Sequence, residues 1–294
     1  MEDDALLKQA QKILRSYKLH ARKGLGQHFL IDADALTTIV ETAEIMPGDT
    51  VIEIGPGLGV LTRELLDRAG RVITVELDDK LAAILHKTLG EHDKLSVVHG
   101  DVLKIDPAAL LVGENHKATE SALKPVNYKL VANLPYYITS LVLRHFLEAS
   151  MKPRRMVVMV QKEVAETIAA KPGKMSLLSV SIQFYGKPEI ACYVPAASFY
   201  PAPEVDSAVV KIDVYSEPKV RVTSVRGFFD LVRAGFSASR KQLCNSLAQG
   251  LGVPKEMVIP ILENAGIDLK RRAETLSVEE WAHLYRIYSG TGEK

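Results

Sequence analysis

The run Val51-Ile52-Glu53-Ile54-Gly55-Pro56-Gly57-Leu58-Gly59-Val60 constrains this chain more than any other stretch. Its β-branched first half reads as a buried strand, its glycines force a tight turn, and Leu61 to Ala69 continues at helical spacing. Strand, glycine turn and helix in that order open a doubly wound α/β sheet, with a ligand expected over the turn. A dinucleotide-binding turn puts glycine at its first, third and sixth places so that a pyrophosphate meets bare backbone. Here the sixth place is Val60 and the third glycine falls one residue early, which argues for a flatter ligand lying along the loop.

The strands that follow supply that ligand with partners. After the apolar run Arg71 to Val75 comes Glu76, 21 residues beyond Gly55, the spacing at which an acid grips ribose hydroxyls. Leu95 to His99 ends in Gly100-Asp101, whose carboxylate can accept from an adenine amine. Both acids can equally be helix N-caps, as acids after strands often are. Tyr128 to Ala132 ends in Asn133-Leu134-Pro135-Tyr136, which sets the side-chain oxygen of Asn133 and the backbone carbonyl of Leu134 beside an aromatic plate. Two such acceptors hold both hydrogens of an exocyclic NH2 and aim its lone pair at an electrophile. Pro135 fixes its own φ and restrains Leu134, and Tyr136 offers a face for a base. The same four residues also suit a plain turn ending a buried strand.

Along the chain, an amphipathic helix is predicted over Leu6 to Leu19. Strands are expected near 50–55, 71–76, 95–99, 127–133 and 155–161, with helices near 59–69, 79–89, 138–150 and 162–182. Two more strands, Glu189 to Val194 and Ser207 to Tyr215, are joined by a proline-rich loop too short for a crossover helix and should pair antiparallel. The polar stretch Gly113 to Pro125 reads as a mobile surface insertion of unreadable function. Past Ser216-Glu217-Pro218 only helical patterns remain, near 225–236, 239–251, 254–265 and 277–289. The expected domains are 1–216 and 217–294.

These residues resemble the S-adenosylmethionine-dependent ribosomal RNA adenine dimethyltransferases, and within them the small-subunit (16S) branch, the kasugamycin-sensitivity methylase family. The resemblance rests on Gly26-Gln27-His28-Phe29-Leu30, Glu53-Ile54-Gly55-Pro56-Gly57, Glu76, Gly100-Asp101, Asn133-Leu134-Pro135-Tyr136, Phe199-Tyr200-Pro201-Ala202-Pro203 with Val205-Asp206-Ser207-Ala208-Val209, the basic stretch Phe236 to Leu243, and Arg272 to Glu280. It implies an α/β class I methyltransferase fold, a Rossmann-like seven-stranded sheet, with a small all-helical C-terminal domain. The implied activity is methyl transfer from S-adenosylmethionine to N6 of two adjacent adenosines in a hairpin loop near the 3′ end of 16S RNA, within the immature small ribosomal subunit. Implied cofactor contacts are Gln27, His28, Leu30, Gly55, Gly57, Glu76, Asp101 and Asn133. The implied catalytic set is Asn133, Leu134, Pro135 and Tyr136, and the RNA contacts are Phe199, as a second aromatic face, Arg240 and Lys241. The family commonly has Asn where His28 stands, and its Arg-Arg-Lys-Thr run reads Ser239-Arg240-Lys241-Gln242 here, which alters one cofactor contact and removes one guanidinium.

Net charge is only +1, but it is unevenly spread. Residues 5–23 carry six Lys or Arg and no acids, residues 41–79 carry nine acids and three bases, and residues 219–274 carry ten bases and five acids. An acidic body suits a positive sulfonium, and basic ends suit a phosphate backbone. The opening Met1-Glu2-Asp3-Asp4 lacks a signal-peptide pattern and no apolar run reaches membrane-spanning length, so a cytoplasmic location is expected; the chain is also expected to be a monomer. Cys192 and Cys244 read as buried hydrophobes, and the histidines show no metal spacing. The rivals are a large-subunit RNA methylase, disfavoured by the C-terminal length, a ribosome-assembly factor, and a nicotinamide oxidoreductase, disfavoured by Val60.

Overall fold

The structure is a computed structural model and describes residues 2–90, 92–112 and 127–291. The stretch 113–125 lies outside the described residues. The chain divides into two compact units, one of Met1–Ala165 with Pro188–Val214, the other of Glu166–Lys187 with Tyr215–Lys294. Segment 166–187 therefore groups with the C-terminal helices, although it precedes the last two strands of the sheet.

The elements run in the order α1 (Glu2–Ser16), β1 (Phe29–Leu30), α2 (Ala33–Ala43), β2 (Thr50–Ile54), α3 (Val60–Arg68), β3 (Arg71–Glu76), α4 (Asp79–Leu89), β4 (Leu95–His99), α5 (Pro107–Val112), β5 (Tyr128–Asn133), α6 (Thr139–Leu147), β6 (Arg155–Gln161) and α7 (Lys162–Ile168). There follow α8 (Leu177–Tyr185), β7 (Gly186–Val194), β8 (Phe199–Tyr200), β9 (Ser207–Val214), α9 (Val225–Phe236), α10 (Leu243–Leu251), α11 (Lys255–Asn264) and α12 (Val278–Thr291). The seven-stranded sheet has the order β4-β3-β2-β5-β6-β9-β7. Neighbours from β4 to β6 are parallel and β9 runs antiparallel to β6. All seven expected strands are present, with 189–194 beside 207–214 as anticipated.

The chain builds outward from β2 through β3 to β4, then returns to the other side of β2 with β5. Strand order thus reverses between β2 and β5, and the carboxyl ends of those strands diverge into a crevice where open α/β sheets bind ligands. Parallel strands covered on both faces require continuous apolar runs, and Val51, Ile52, Val72, Leu130, Val131 and Val158 are accordingly buried. Helix α2 closes one face with Leu36, Ile39 and Val40 against Val51, Val131 and Val157. It is set by Asp32, whose side chain accepts from the Ala35 N–H at 2.8 Å.

At the amino ends of the strands the polar groups are mutually paired. Lys129, 2% exposed, lies 2.7 Å from Asp49 and also donates to the Glu44 carbonyl. Arg155 binds Asp213 at 2.7 Å and Glu44 at 2.8 Å.

Four features depart from expectation. The helix expected at 162–182 is two, α7 and α8, because Pro172-Gly173 intervenes, with Gly173 at φ +107°, and Ser176 starts α8 with a capping box. Helix α10 begins at Leu243, so Arg240 and Lys241 lie in the preceding turn. Helices α2 and α5 were not anticipated. Nor was the pairing of β1 with β8, in which Phe29 faces Tyr200 and Leu30 faces Phe199.

The second unit has its own aromatic core. Phe184 stacks on Phe228 with centroids 5.1 Å apart and meets Phe229 edge-on at 5.2 Å. Helices α9 and α10 approach so closely that a Cβ on Gly250 would fall 2.5 Å from the Ala234 backbone. Arg271 and Glu280 form a two-pronged ion pair tying the segment before α12 to that helix.

Candidate active site

The glycine turn after β2 forms the floor of the crevice. The Gly55 N–H donates to the Val75 carbonyl at 2.9 Å, locking the turn to the neighbouring strand. Gly57 sits at φ +58°, and a Cβ there would meet the Phe29 ring at 3.2 Å, so position 57 needs glycine on both counts. The β1–β8 pairing holds that ring in place, with Phe29 packed in a cluster with Leu14, Leu58 and Leu81. A two-residue pairing thereby brings the N-terminal loop over the turn.

Three carboxyl groups line the cleft, Glu53, Glu76 and Asp101, with no lysine or arginine among the lining residues. Glu76, 6% exposed, accepts from the Gly57 N–H at 3.3 Å on one oxygen and the Asp78 N–H at 2.9 Å on the other. Each oxygen keeps a lone pair for a ligand hydroxyl. Burial pushes its carboxyl above the ordinary range, against the pull of those two N–H groups. Glu76 caps nothing, because Asp78 caps α4 by accepting from Lys80 and Leu81. Asp101 divides its work. Oδ1 caps a helical turn by accepting from Leu103 at 3.1 Å, and among the described residues Oδ2 has only the Lys104 ammonium at 3.7 Å.

The Asn133 to Tyr136 segment forms the opposite wall. Asn133 Nδ2 donates to the His28 carbonyl at 3.2 Å, which orients the amide, and among the described residues nothing donates to its Oδ1. Leu134 is anchored through its N–H to the Met159 carbonyl at 3.1 Å, while its own carbonyl accepts from no described group. Pro135 holds φ −57°. Two adjacent carbonyl oxygens are thus fixed and unengaged. The Tyr136 hydroxyl meets Ser207 Oγ at 2.8 Å, and burial, despite that bond, pushes the phenol upward and keeps it protonated. The His28 ring lies near-parallel to Tyr136 with centroids 6.0 Å apart. Its Nδ1 stands 2.7 Å from the Pro201 carbonyl, which can only accept, so Nδ1 carries a proton.

Gln27, His28, Leu30, Gly55, Gly57, Glu76, Asp101, Asn133, Leu134, Pro135 and Tyr136 all line this single cleft. The side chain of Gln27 is already engaged, donating to Asp78 at 3.2 Å and accepting from the Arg22 N–H at 2.8 Å. Phe199 is not brought to the cleft, since it is 3% exposed and packs with Leu30, Ile39 and Val194 in the core. Arg240 and Lys241 are exposed in the second unit. Sequence reasoning gave no role to Glu53, which lines the cleft, or to Asp78, which lies outside that lining and holds Gln27. Glu53 is an acid inside an otherwise apolar strand, which was the available signal. Asp78 was hidden among neighbouring acids.

The sequence signature described as Ribosomal RNA adenine dimethylase matches residues 18–289. The chain belongs to this family. A Dehalococcoides mccartyi (strain BAV1) protein named Ribosomal RNA small subunit methyltransferase A is 54% identical over 286 residues, covering 97% of this chain and 94% of that one. A protein of the same name from Moorella thermoacetica is 45% identical over 276 residues, covering 93% and 94%. Among solved structures, a dimethyladenosine transferase from Plasmodium falciparum superposes with TM-score 0.74 at 26% identity, covering 90% of this chain and 98% of that one. The 23S rRNA methyltransferase ErmE gives 0.68 at 29% identity, covering 89% and 99%.

The dimethylase cleft suits a cationic adenosyl ligand by its own chemistry. Its lining holds three carboxyls and no lysine or arginine, its floor admits bare backbone only, and Leu77, Val102 and Pro56 add apolar surface. A pyrophosphate would meet the repulsion of these carboxylates with no lysine or arginine in the lining to offset it.

Proposed function

We propose that this enzyme transfers methyl groups from S-adenosylmethionine to N6 of two adjacent adenosines in a hairpin loop near the 3′ end of 16S RNA, on immature small ribosomal subunits. In this reading residues 1–216 hold the methyl donor and the target base, and residues 217–294 hold RNA. The enzyme works as a monomer in the cytoplasm. The observation that carries the reading is the pair of unengaged, fixed acceptors, Asn133 Oδ1 and the Leu134 carbonyl, on the wall of a cleft lined by carboxyl groups without lysine or arginine.

Glu76 holds the ribose hydroxyls and Asp101 Oδ2 the adenine amine, with Gly55, Gly57 and Leu30 shaping the floor and wall. Gln27 acts through its hold on Asp78, and His28 presents Nε2 to the methionine end. The bound donor supplies a methyl group already activated on a sulfonium, so no strong base is required. The residues do the positioning. Asn133 and Leu134 accept the two amine hydrogens of the flipped target adenine, aiming its lone pair, and Tyr136 stacks the ring. Water takes the proton released from the methylated amine. Exposed Arg240 and Lys241 contact phosphates.

The test uses tritiated donor with small subunits lacking the modification, against large subunits and free RNA. Asn133→Ala should cut turnover about 10²–10³-fold, as loss of one oriented polar group does, with subunit binding nearly intact. Because the monomethylated intermediate retains one N6 hydrogen, the variant should also change the ratio of mono- to dimethyladenosine. Wild-type rates with a wild-type ratio would sink the assignment.

A further inference from the structure

Glu53 has no role in the site as described so far, yet it is its most unusual group. It lies in the middle of an apolar strand, is 1% exposed, and still lines the cleft. One oxygen accepts from the Thr62 hydroxyl at 2.7 Å, while no described group pairs with the other. Its register neighbour on β3 is Thr74, and paired residues of parallel strands project to the same face. The Thr74 hydroxyl is buried and, among the described residues, has no partner. The sheet face that carries Glu53 therefore holds a second buried polar group, with no hydrogen bond between the two.

The groups around it leave Glu53 without a counter-charge. From β3 the charged neighbour is Glu76, of the same sign, and from the loop after β4 it is Asp101. Helix α3 presents only the neutral Thr62. The N-terminal loop contributes His28, whose Nδ1 is committed to Pro201. On β5, Lys129 sits at the far end of the strand, paired with Asp49. Burial pushes the Glu53 carboxyl up to about 8, with the Thr62 hydrogen bond opposing and the Glu76 charge adding.

We propose that Glu53 is the proton-linked counter-charge for the cationic methyl donor, neutral in the free enzyme and ionised once the donor is bound. The carboxyl O–H bond breaks, the electron pair stays on the carboxylate and the proton leaves through the cleft to buffer. The proposal rests on assigning this cleft to S-adenosylmethionine. Binding that releases a proton strengthens as pH rises, so Kd should fall with pH up to about 8, approaching about tenfold per pH unit, and level off above it.

Calorimetry of the full chain with S-adenosylmethionine at pH 7, in phosphate and in Tris, counts the protons released. Wild type should release a substantial fraction of one proton at pH 7 and almost none at pH 9.5. Glu53→Gln should bind with that release abolished and the pH dependence of Kd flattened. His28→Asn should leave the release in place. Should Glu53→Gln fail to fold, Thr62→Val, which removes the opposing hydrogen bond, should carry the release to higher pH. Equal proton release by wild type and Glu53→Gln, or an unmoved profile in Thr62→Val, overturns the proposal. Failure of wild type to bind the donor at all would instead overturn the cleft assignment.

Discussion

The two ends of the same parallel sheet treat buried charge in opposite ways. At the amino ends, Lys129 meets Asp49 and the Glu44 carbonyl, and Arg155 meets Asp213 and Glu44, so each cation is matched and its hydrogen bonds are used. At the carboxyl ends, Glu53, Glu76 and Asp101 face one cleft with no lysine or arginine among its lining residues. Carboxyls in a cleft whose lining holds no lysine or arginine are costly to ionise unless a ligand supplies the positive charge. The matched end serves the fold alone. The unmatched end stays ready for a cation, and its cost is borne by the sheet beneath it. The same strands carry both, because the parallel arrangement gathers all their carboxyl ends on one side.

Breaking the matched end should cost the most. Lys129→Ala leaves partly buried Asp49 with the Met46 N–H but without its cation, and should lower unfolding free energy by about 3–5 kcal/mol, while protein that remains folded keeps its donor affinity. Chemical denaturation with donor titration measures both quantities, and a variant of normal stability would show that this end is not the structural one. Second in size is Glu76→Ala. Losing a hydrogen bond to a charged acceptor should weaken donor binding by about 1.5–3 kcal/mol, roughly tenfold to over a hundredfold, with stability little lowered. Unchanged affinity by calorimetry in the folded variant would remove Glu76 from the site. Replacing Arg240 and Lys241 together with Ala should touch neither end of the sheet. It should weaken subunit binding and reduce the salt slope by about one unit per lost phosphate contact, and a salt titration matching wild type would end their assigned role.

The last effect, read on stability alone and not on binding, is a tilt in its pH dependence, opposite at the two ends. For Asp49 burial alone would raise the carboxyl, but the Lys129 contact and the Met46 N–H outweigh it and the group is lowered. Its contribution is therefore present above the ordinary carboxylate range and lost as pH falls through the lowered value. Glu53 is raised from 4.5 to about 8, so its contribution is full below about pH 4.5 and lost as pH rises toward 8. Asp49→Asn should flatten the acid side of a melting-temperature profile and Glu53→Gln the side between pH 5 and 8. A Glu53→Gln profile parallel to wild type in that interval would contradict an acid held neutral there.

Most of the sheet was legible because β-branched runs of five to seven residues broken by glycine or an acid leave little choice but buried strands. The switch point between β2 and β5 was not read from the sequence, because the pattern of strands and helices does not by itself give their order in the sheet. What escaped has physical reasons. The Phe29-Leu30 and Phe199-Tyr200 strands are two residues each and are specified by one another across the chain, so neither shows a period of its own. The Pro172-Gly173 break and the Asp32 cap with Leu36, Ile39 and Val40 were readable signals that were passed over. Glu76 and Asp78 could not be told apart as ligand group and cap until their hydrogen bonds were visible. The Phe199 ring shows the limit of reading a motif. An aromatic beside a proline turn suits stacking, yet its side chain fills the core here.

The two-residue clip has a consequence for the order in which this protein is made. Phe29-Leu30 leaves the exit tunnel early, and its partner Phe199-Tyr200 follows about 170 residues later. At roughly 5 to 20 residues per second, that is a delay on the order of ten seconds or more. Until then the Phe29 ring lacks the strand that sets it over Gly57, and His28 lacks the Pro201 carbonyl that fixes its ring. The cleft is thus finished late in translation, by a segment that arrives after most of the sheet.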